Sequence, residues 1–473
     1  MTGPRPRVLF INPPQAVTEQ LYSARVARRY SRRAYVLPNT SLAYLAAYLE
    51  KNGFEVRILD ASALGIGPAA AAAPVREFDP IAICYSLCTQ NFLPTLSWIQ
   101  GLKELVPIPV VVGGVQMGIY PGEVMTHSAI DYGVIGEGWD ILGQLVRAIA
   151  GNGGVGGIKG VCYREGGEVV FTEPNPEPAR SLDEVPFPAR HLLPNDSYTT
   201  VMTQSWPITV MLSSRGCPYG CTYCDVPRDR YQSRLPEQTV EEMGECAGRY
   251  GIKEILFQDE TFTLGRDRVM ELCDRILARG IKVDWSIRAR ADLLDREMIG
   301  MMKRAGLTKV NLGVESGRQE ILERFNRNIP LESIREAVAW TREFNIITLG
   351  FFIIGWPGET RADVEATIRF ALELECDFIQ VNKMMPQPPS RVYQELVKET
   401  GKDPWRDYTL GDASGLPGLS GIGSSFSPAE LDSIQMEFFR RFYYRPAYIW
   451  RRIRGIRSAR ELVNLAGSAL AIR

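Results

Sequence analysis

Strand-length apolar runs alternate with helix-length amphipathic stretches along most of this chain, and they do so in two separate series. The first series has runs at residues 8–11, 56–59, 81–85, 110–112 and 132–135, rich in β-branched residues. Such runs read as strands buried on both faces, and alternation with helices makes them a doubly wound parallel sheet. One of the intervening helices is expected to start at Ser41 as N-cap and to stop at Gly53. The alanine run 69–73, fenced by Pro68 and Pro74, reads as a short exposed helix or a linker. The second series has runs at 208–212, 255–257, 283–287, 310–314, 349–354 and 378–382. Six βα units in a row predict a partial (β/α)6 barrel with its site at the strand carboxyl ends. The expected organisation is therefore α/β: a doubly wound domain over 1–150, a hairpin about Gly166-Gly167 and a Pro-rich linker over 151–202, a partial barrel over 203–396, and a helical region over 397–473.

Directly after the first barrel strand comes Gly216-Cys-Pro-Tyr-Gly-Cys-Thr-Tyr-Cys224. Cys217, Cys221 and Cys224 are spaced i, i+4, i+7, and the glycines leave room for the backbone to pass close to inorganic sulfide. Three thiolates leave one iron of a 4Fe–4S cluster without a protein ligand, whereas a cluster that only carries electrons has four. A redox metal with an open position is a place for substrate or cosubstrate. Structural zinc would need a fourth Cys or His nearby, and none lies within about twenty residues. Nine cysteines is an odd count without a disulfide framework, and a thiolate cluster needs a reducing compartment, so a cytoplasmic location is expected. The first residues carry no hydrophobic signal segment, and no stretch reads as a membrane span. Lys plus Arg (54) nearly balance Asp plus Glu (55), so no overall field draws nucleic acid to the chain.

Polar and glycine motifs follow the later barrel strands in order. They are Phe257-Gln-Asp-Glu-Thr-Phe262, Ala289-Arg-Ala-Asp292, Gly313-Val-Glu-Ser-Gly317 and Phe352-Ile-Ile-Gly-Trp-Pro-Gly-Glu-Thr360. With the cysteine loop and the following Tyr231-Gln-Ser-Arg-Leu-Pro-Glu237, residues 205–385 resemble the barrel of the radical S-adenosylmethionine (SAM) superfamily, in the subfamily with an N-terminal cobalamin-binding domain. Residues 5–140, and the link through Pro186-Phe-Pro-Ala-Arg-His-Leu-Leu-Pro194, are similar to that domain. The resemblance implies that SAM chelates the open iron. Carboxylates and the amide at Gln258, Asp259 and Glu260 suit its amine or ribose. Arg288 and Arg290 suit its carboxylate, and Glu315 and Ser316 end the fourth strand beside it. Ile353 and Gly355 would let adenine approach the backbone. Each of these is equally read alone as a rim charge or ion pair, and Tyr223 reads either as a stacking partner for adenine or as loop packing.

For cobalamin the same resemblance points to Asn12, Ser86, Thr89, Gly113, Gly114, Gln116 and Glu137, at the strand carboxyl ends of the first domain. The chain lacks an Asp-x-His-x-x-Gly motif, and its two histidines, His127 and His191, lie elsewhere, so cobalamin is expected to bind without a histidine ligand. Two departures from the subfamily pattern are Val115-Gln116 in place of Pro-His and Pro386-Gln-Pro-Pro-Ser390 in place of Pro-x-Pro-Gly-Thr. The implied enzyme cleaves SAM reductively to a 5′-deoxyadenosyl radical, with an external electron donor such as flavodoxin or ferredoxin, and acts on a small molecule. Cobalamin-dependent C-methylation at an unactivated carbon in specialised metabolism is the leading expectation. The alternative is a radical dehydratase, cyclase or rearrangement enzyme with a degenerate cobalamin domain. A tRNA methylthiotransferase would need three N-terminal cluster cysteines, where this chain has Cys84, Cys88 and Cys162, and an RNA-binding β-module at its C-terminus. The basic, aromatic tail beginning at Glu437 has two open readings, a peripheral membrane contact or a helix pair packed on the barrel.

Overall fold

The computed structural model describes residues 5–14, 35–176, 180–200, 202–226 and 231–455; Pro178 of the Pro-rich stretch and residues 456–473 of the tail lie outside the described residues. The chain forms two compact units. The first comprises the N-terminal strand, Tyr35–Thr200 and the returning segment Asp403–Gly415, and the second comprises Val201–Lys402 and the chain from Leu416 on.

In the first unit, strands β1 (Arg7–Ile11), β2 (Glu55–Leu59), β3 (Ala82–Ser86), β4 (Val110–Gly113) and β5 (Tyr132–Val134) are followed by the hairpin β6 (Val161–Glu165) and β7 (Glu168–Phe171). The sheet order is β2-β1-β3-β4-β5-β6-β7, parallel from β2 to β5 and antiparallel thereafter. The Gly166-Gly167 turn has two positive φ angles, which a two-residue hairpin with the twist of its strands demands. Rather than standing in the linker, the hairpin extends the sheet through β5·β6 pairing. The helix Thr40–Lys51 is capped by Asn39, whose side chain accepts from Leu42 N, and Ser41 falls inside the first turn. The alanine run is helical, as the first of its two readings had it, with Ala69, Ala70 and Ala73 exposed and Ala71 and Ala72 buried. It belongs to the helix Pro68–Phe78, which buries Ala71, Ala72, Val75 and Phe78. Small residues let that helix sit close to its neighbours, and the fixed φ of Pro68 starts it.

In the second unit, β8 (Ile208–Met211), β9 (Glu254–Phe257), β10 (Asp284–Ala289), β11 (Leu307–Glu315), β12 (Ile347–Ile354) and β13 (Phe378–Lys383) pair in chain order, all parallel. Alternation along each strand sorts residues between two faces. Ile255, Phe257, Trp285, Ile287, Val310, Leu312, Phe352, Ile354, Ile379 and Val381 join the core against the helices. The opposite face carries Gln258, Arg288, Asn311, Glu315, Phe351, Ile353, Gln380 and Asn382, none of them in that core. At the amino-terminal end of this inner face the buried Lys309 and Glu254 pair with each other. Lys309 also donates to Met202 O at 2.6 Å, and Glu254 accepts from the backbone N–H groups of Gln204 and Ser205. A buried ion pair is tolerated only when its remaining hydrogen-bonding capacity is met in this way.

After the barrel, the helix Pro428–Tyr443 starts on a Ser427/Glu430 capping box and buries Leu431, Ile434, Phe438, Phe439 and Phe442. Those residues join the barrel core, so this part of the tail packs on the barrel. Tyr444, Ile449 and Trp450 remain exposed. No described helix is long and apolar enough to cross a membrane.

Candidate functional site

The cysteine loop leaves β8 through Ser214–Arg215, which pairs antiparallel with Gln232–Ser233. Its start is pinned from below by Asp259, which is fully buried. That carboxylate accepts from Ser213 N at 2.8 Å, Ser213 Oγ at 2.5 Å and Ser214 Oγ at 2.7 Å. Burial still pushes the Asp259 pKa up. Asp259 is therefore spent on the loop's foundation, a correction to its expected place on a cosubstrate. Its neighbour Glu260 is exposed and is held by the Gly216 N–H at the mouth of the loop.

The far side of the loop is gripped by a turn after β11. Thr222 N donates to Phe325 O at 3.0 Å, Asn326 Nδ2 donates to Gly220 O at 2.8 Å, and Arg327 Nη1 reaches Cys221 Sγ at 3.9 Å. Cys217 Sγ sits 3.6 Å from Thr261 Oγ1. All three thiols are free of disulfides. Burial pushes the Cys224 thiol up to about 12, and the other two cysteines add to that rise, which puts the three within electrostatic reach of one another. Among the described residues no three donors converge as a single metal ion requires. A cubane cluster binds each thiolate through a different iron, so its ligands surround a volume rather than a point. Three thiols on a glycine-flanked loop, with an arginine beside one of them and no fourth Cys or His at hand, fit such a cluster and do not fit structural zinc.

Of the other expected residues, four lie on the inner face. Arg288 Nη2 donates to Gln258 Oε1. Glu315 ends β11 at a bulge with φ +66°, 3.8 Å from Arg327. Burial raises its pKa, opposed by Arg327 and by a hydrogen bond from Tyr223. Tyr223 meets Trp356 edge to face at 5.0 Å, and Trp356 lies against Phe325 at 4.6 Å. Ile353 packs in the same cluster, and its carbonyl takes the Trp356 indole N–H. Tyr223 thus packs in a cluster with residues from outside its loop, Trp356 among them.

Three of the expected residues are already engaged within the protein. Ser316 is buried, with its hydroxyl 3.2 Å from Thr367 Oγ1 and accepting from Arg318 N, so it caps a turn. Arg290 forks onto Asp292 through Nε and Nη2 at 3.1 and 2.9 Å and stacks over the Tyr219 ring at 3.7 Å, while its buried Nη1 has no partner. Gly355 has φ +80°, and a Cβ there would meet Leu431 Cδ1 at 2.9 Å and Gly421 Cα at 3.0 Å. The glycine is required by protein packing, not by an approaching base.

Below it, the buried Glu359 accepts from Gly355 N at 2.6 Å and Trp356 N at 3.2 Å, while its Oε1 has no partner. Burial raises its pKa to about 7. A carboxyl raised in the folded state favours the protein while protonated, and that contribution is lost as pH rises from the unfolded value towards 7. The denaturation midpoint of the apoprotein is therefore expected to fall between pH 6 and pH 8.5, by an amount worth about 1–2 kcal/mol. The Glu359→Gln variant is expected to be flat over that range. An equal slope in the variant would show that the titrating group lies elsewhere.

In the first unit, the carboxyl edge of the parallel sheet carries Ser86, Gly113, Gly114, Gly136 and Glu137, with Val115 60 % exposed. The carboxyl edge of a doubly wound parallel sheet is where such domains take their ligands. A Cβ on Gly136, whose φ is +94°, would meet nothing within 4 Å, so its surroundings are open. The remaining expected residues are engaged within the protein. A Cβ on Gly114 would sit 2.6 Å from Leu87 O. Asn12 is buried and donates to Asp60 at 2.9 Å, and Thr89 is buried in a short helical turn. Glu137 accepts from Trp139 Nε1. Gln116 is fully buried and its Nε2 donates to Thr409 Oγ1 at 2.6 Å, anchoring the helix Pro404–Thr409, while its Oε1 has no partner. His127 Nε2 lies 2.7 Å from Thr409 O, and His191 Nε2 lies 3.0 Å from Glu50. Each histidine thus has one ring nitrogen engaged within the protein.

The grip of residues 325–327 on the cysteine loop was not visible in sequence. Its one signal was Arg324-Phe-Asn-Arg-Asn328, in which asparagines tolerate positive φ better than most residues do.

Comparison with known proteins adds to this geometry. Residues 211–371 match the model of the radical SAM superfamily, and residues 30–146 match the B12 binding domain. The uncharacterized methyltransferase PH0819 of Pyrococcus horikoshii is 31 % identical over 416 residues, covering 86 % of this chain and 88 % of its own. The anaerobic magnesium-protoporphyrin IX monomethyl ester cyclase of Cereibacter sphaeroides is 27 % identical, covering 88 % of this chain and 69 % of its own. Among solved structures, the radical SAM methyltransferase TsrM of Kitasatospora setae, with cobalamin and a [4Fe-4S] cluster bound, superposes with a TM-score of 0.68 at 21 % identity, covering 93 % of this chain and 85 % of its own.

Proposed function

The chain belongs to the radical SAM superfamily, in the form that also carries a B12-binding domain, and on that premise we propose that it is a cobalamin-dependent C-methyltransferase acting on an unactivated carbon of a small molecule. The observation that carries the reading is the presence in one chain of a three-thiol loop at the first barrel strand and an upstream parallel sheet with an open glycine at its carboxyl edge. The methyltransferase PH0819, similar over nearly its whole length, favours methyl transfer over cyclisation. When bound, the 4Fe–4S cluster, SAM and cobalamin supply reductive carbon–sulfur cleavage, hydrogen abstraction and a transferable methyl group.

The protein's part is to hold, orient and dry the site. Cys217, Cys221 and Cys224 would hold the cluster, leaving one iron to the cosubstrate. Gln258, Arg288, Glu315 and Ile353 line the inner face where SAM would lie, and Glu260 stands at the loop's mouth. The Tyr223–Trp356–Phe325 stack excludes water on one side of the loop. Further along the inner face, Phe351, Gln380 and Asn382 give the substrate an aromatic wall and paired amides. An external one-electron donor of the flavodoxin or ferredoxin type and a reducing cytoplasmic setting belong to the same reading.

Anaerobic reconstitution followed by analysis of SAM turnover tests it. Equal amounts of S-adenosylhomocysteine and 5′-deoxyadenosine are expected, together with cobalamin absorbance in the purified protein. Deoxyadenosine alone, from protein without corrinoid, would overturn methyl transfer in favour of a radical dehydratase or cyclase.

A further inference from the structure

Three consecutive residues, Phe325, Asn326 and Arg327, each hold a different residue of the cysteine loop: Thr222, Gly220 and Cys221. The backbone that presents them is unusual. Asn326 and Asn328 both have positive φ, +56° and +48°, and they bond to each other through Asn328 Nδ2 and Asn326 Oδ1 at 2.8 Å. Two left-handed non-glycine residues flanking one arginine are a conformational cost that the surrounding contacts must offset. The arginine is fixed from three sides: its own N–H donates to Leu322 O, its Nη2 donates to Gly313 O at 3.1 Å, and Glu315 lies 3.8 Å away. With so many restraints its Nη1 is aimed at Cys221 Sγ, in a setting where both side chains are largely removed from solvent. An N–H donated to a ligand sulfur stabilises the more negative state of an iron–sulfur cluster, and a buried positive charge does so more strongly because water screens it little.

We infer that Arg327 is a positioning residue that raises the reduction potential of the cluster through the Cys221 sulfur. The inference rests on the cluster reading above, and it concerns how readily that cluster accepts its electron rather than what the electron is used for. Arg327 is separated from Cys221 by more than a hundred residues, so the device depends on the strained turn that delivers it.

The test is a redox titration of the reconstituted protein without SAM, followed by electron paramagnetic resonance, in wild type, Arg327→Lys and Arg327→Met. Iron and sulfide per chain are measured first; if Arg327→Met does not hold four irons, Arg327→Gln takes its place. The neutral variant is expected to have an equilibrium constant for reduction about tenfold lower, which for a one-electron couple is about 59 mV more negative. Arg327→Lys, which keeps the charge, is expected to fall between that value and wild type. Equal potentials in wild type and the neutral variant, with full clusters in both, would overturn the inference and leave the cluster reading standing. A lysine variant as low as the neutral one would overturn it as well. Wild-type protein that assembles no cluster would instead sink the reading on which it rests.

Discussion

Replacing any one of Cys217, Cys221 or Cys224 with alanine is expected to give a folded protein that holds no 4Fe–4S cluster and forms no detectable 5′-deoxyadenosine from SAM. The effect should be all-or-none, because a cube with three protein ligands already has an open iron and cannot lose a second ligand and keep its place. Folding should survive, since Cys217 and Cys224 are only half-buried and the loop keeps its other contacts to Phe325 and Asn326. Iron content, the visible absorbance of reconstituted protein and product chromatography read the outcome. The control is Cys84→Ala. Cys84 is buried in β3 of the other unit, where burial raises its thiol pKa, and its removal should leave iron content unchanged. A loss of iron in that variant would refute a single cluster.

The second large effect is expected at Asp259. Truncation to alanine leaves three donors, Ser213 N, Ser213 Oγ and Ser214 Oγ, without an acceptor in a fully buried site. Removing a hydrogen-bonded buried charge of this kind costs about 2–5 kcal/mol. Because the stranded donors lie two and three residues ahead of Gly216, the loss should appear both as a lower denaturation midpoint and as poorer cluster retention. Asp259→Asn keeps one acceptor oxygen and should recover part of each. If Asp259→Ala retained both the wild-type midpoint and full iron, the carboxylate would not be the foundation of the loop.

Asp259 also shows where reading the chain alone reached its limit. The runs of β-branched residues placed all six barrel strands within a few residues of their observed bounds, because burial on a packed sheet leaves a strong pattern. The cysteine loop was equally legible, since its chemistry lies in local spacing. Gln258, Asp259 and Glu260, by contrast, are three adjacent polar residues at a strand end, and composition does not say which faces the barrel interior. The structure divides them: Gln258 to the inner face, Asp259 into the core, Glu260 to solvent. Gly355 is a similar case, since a positive φ and a close neighbour both call for glycine, and the neighbour turned out to be Leu431. Gln116 looked like a strand-end polar residue, but its partner comes from nearly three hundred residues away. Long-range pairing of that kind leaves no local trace. The alanine run is the helix that was read there, but two of its residues are buried, because small residues signal close packing as readily as exposure.

The helix Pro404–Thr409 has a consequence for how the protein is made. It supplies Thr409 to Gln116 and His127, Asp403 to Tyr120, and Arg406 to Glu123, all within the unit that begins at the N-terminus. That unit is therefore not a contiguous stretch of chain. A ribosome adding about 5–20 residues per second reaches this helix roughly 10–40 s after it has finished Thr200. Throughout that interval the buried amide of Gln116 has no hydroxyl to meet, and the surface that will receive Trp405 and Tyr408 stays uncovered on the nascent chain. The B12-binding unit starts first and is completed late, after all six barrel strands have emerged. Expression at low temperature or with chaperones, and fragments that carry residues 403–415, follow as the practical route to a soluble corrinoid-binding protein.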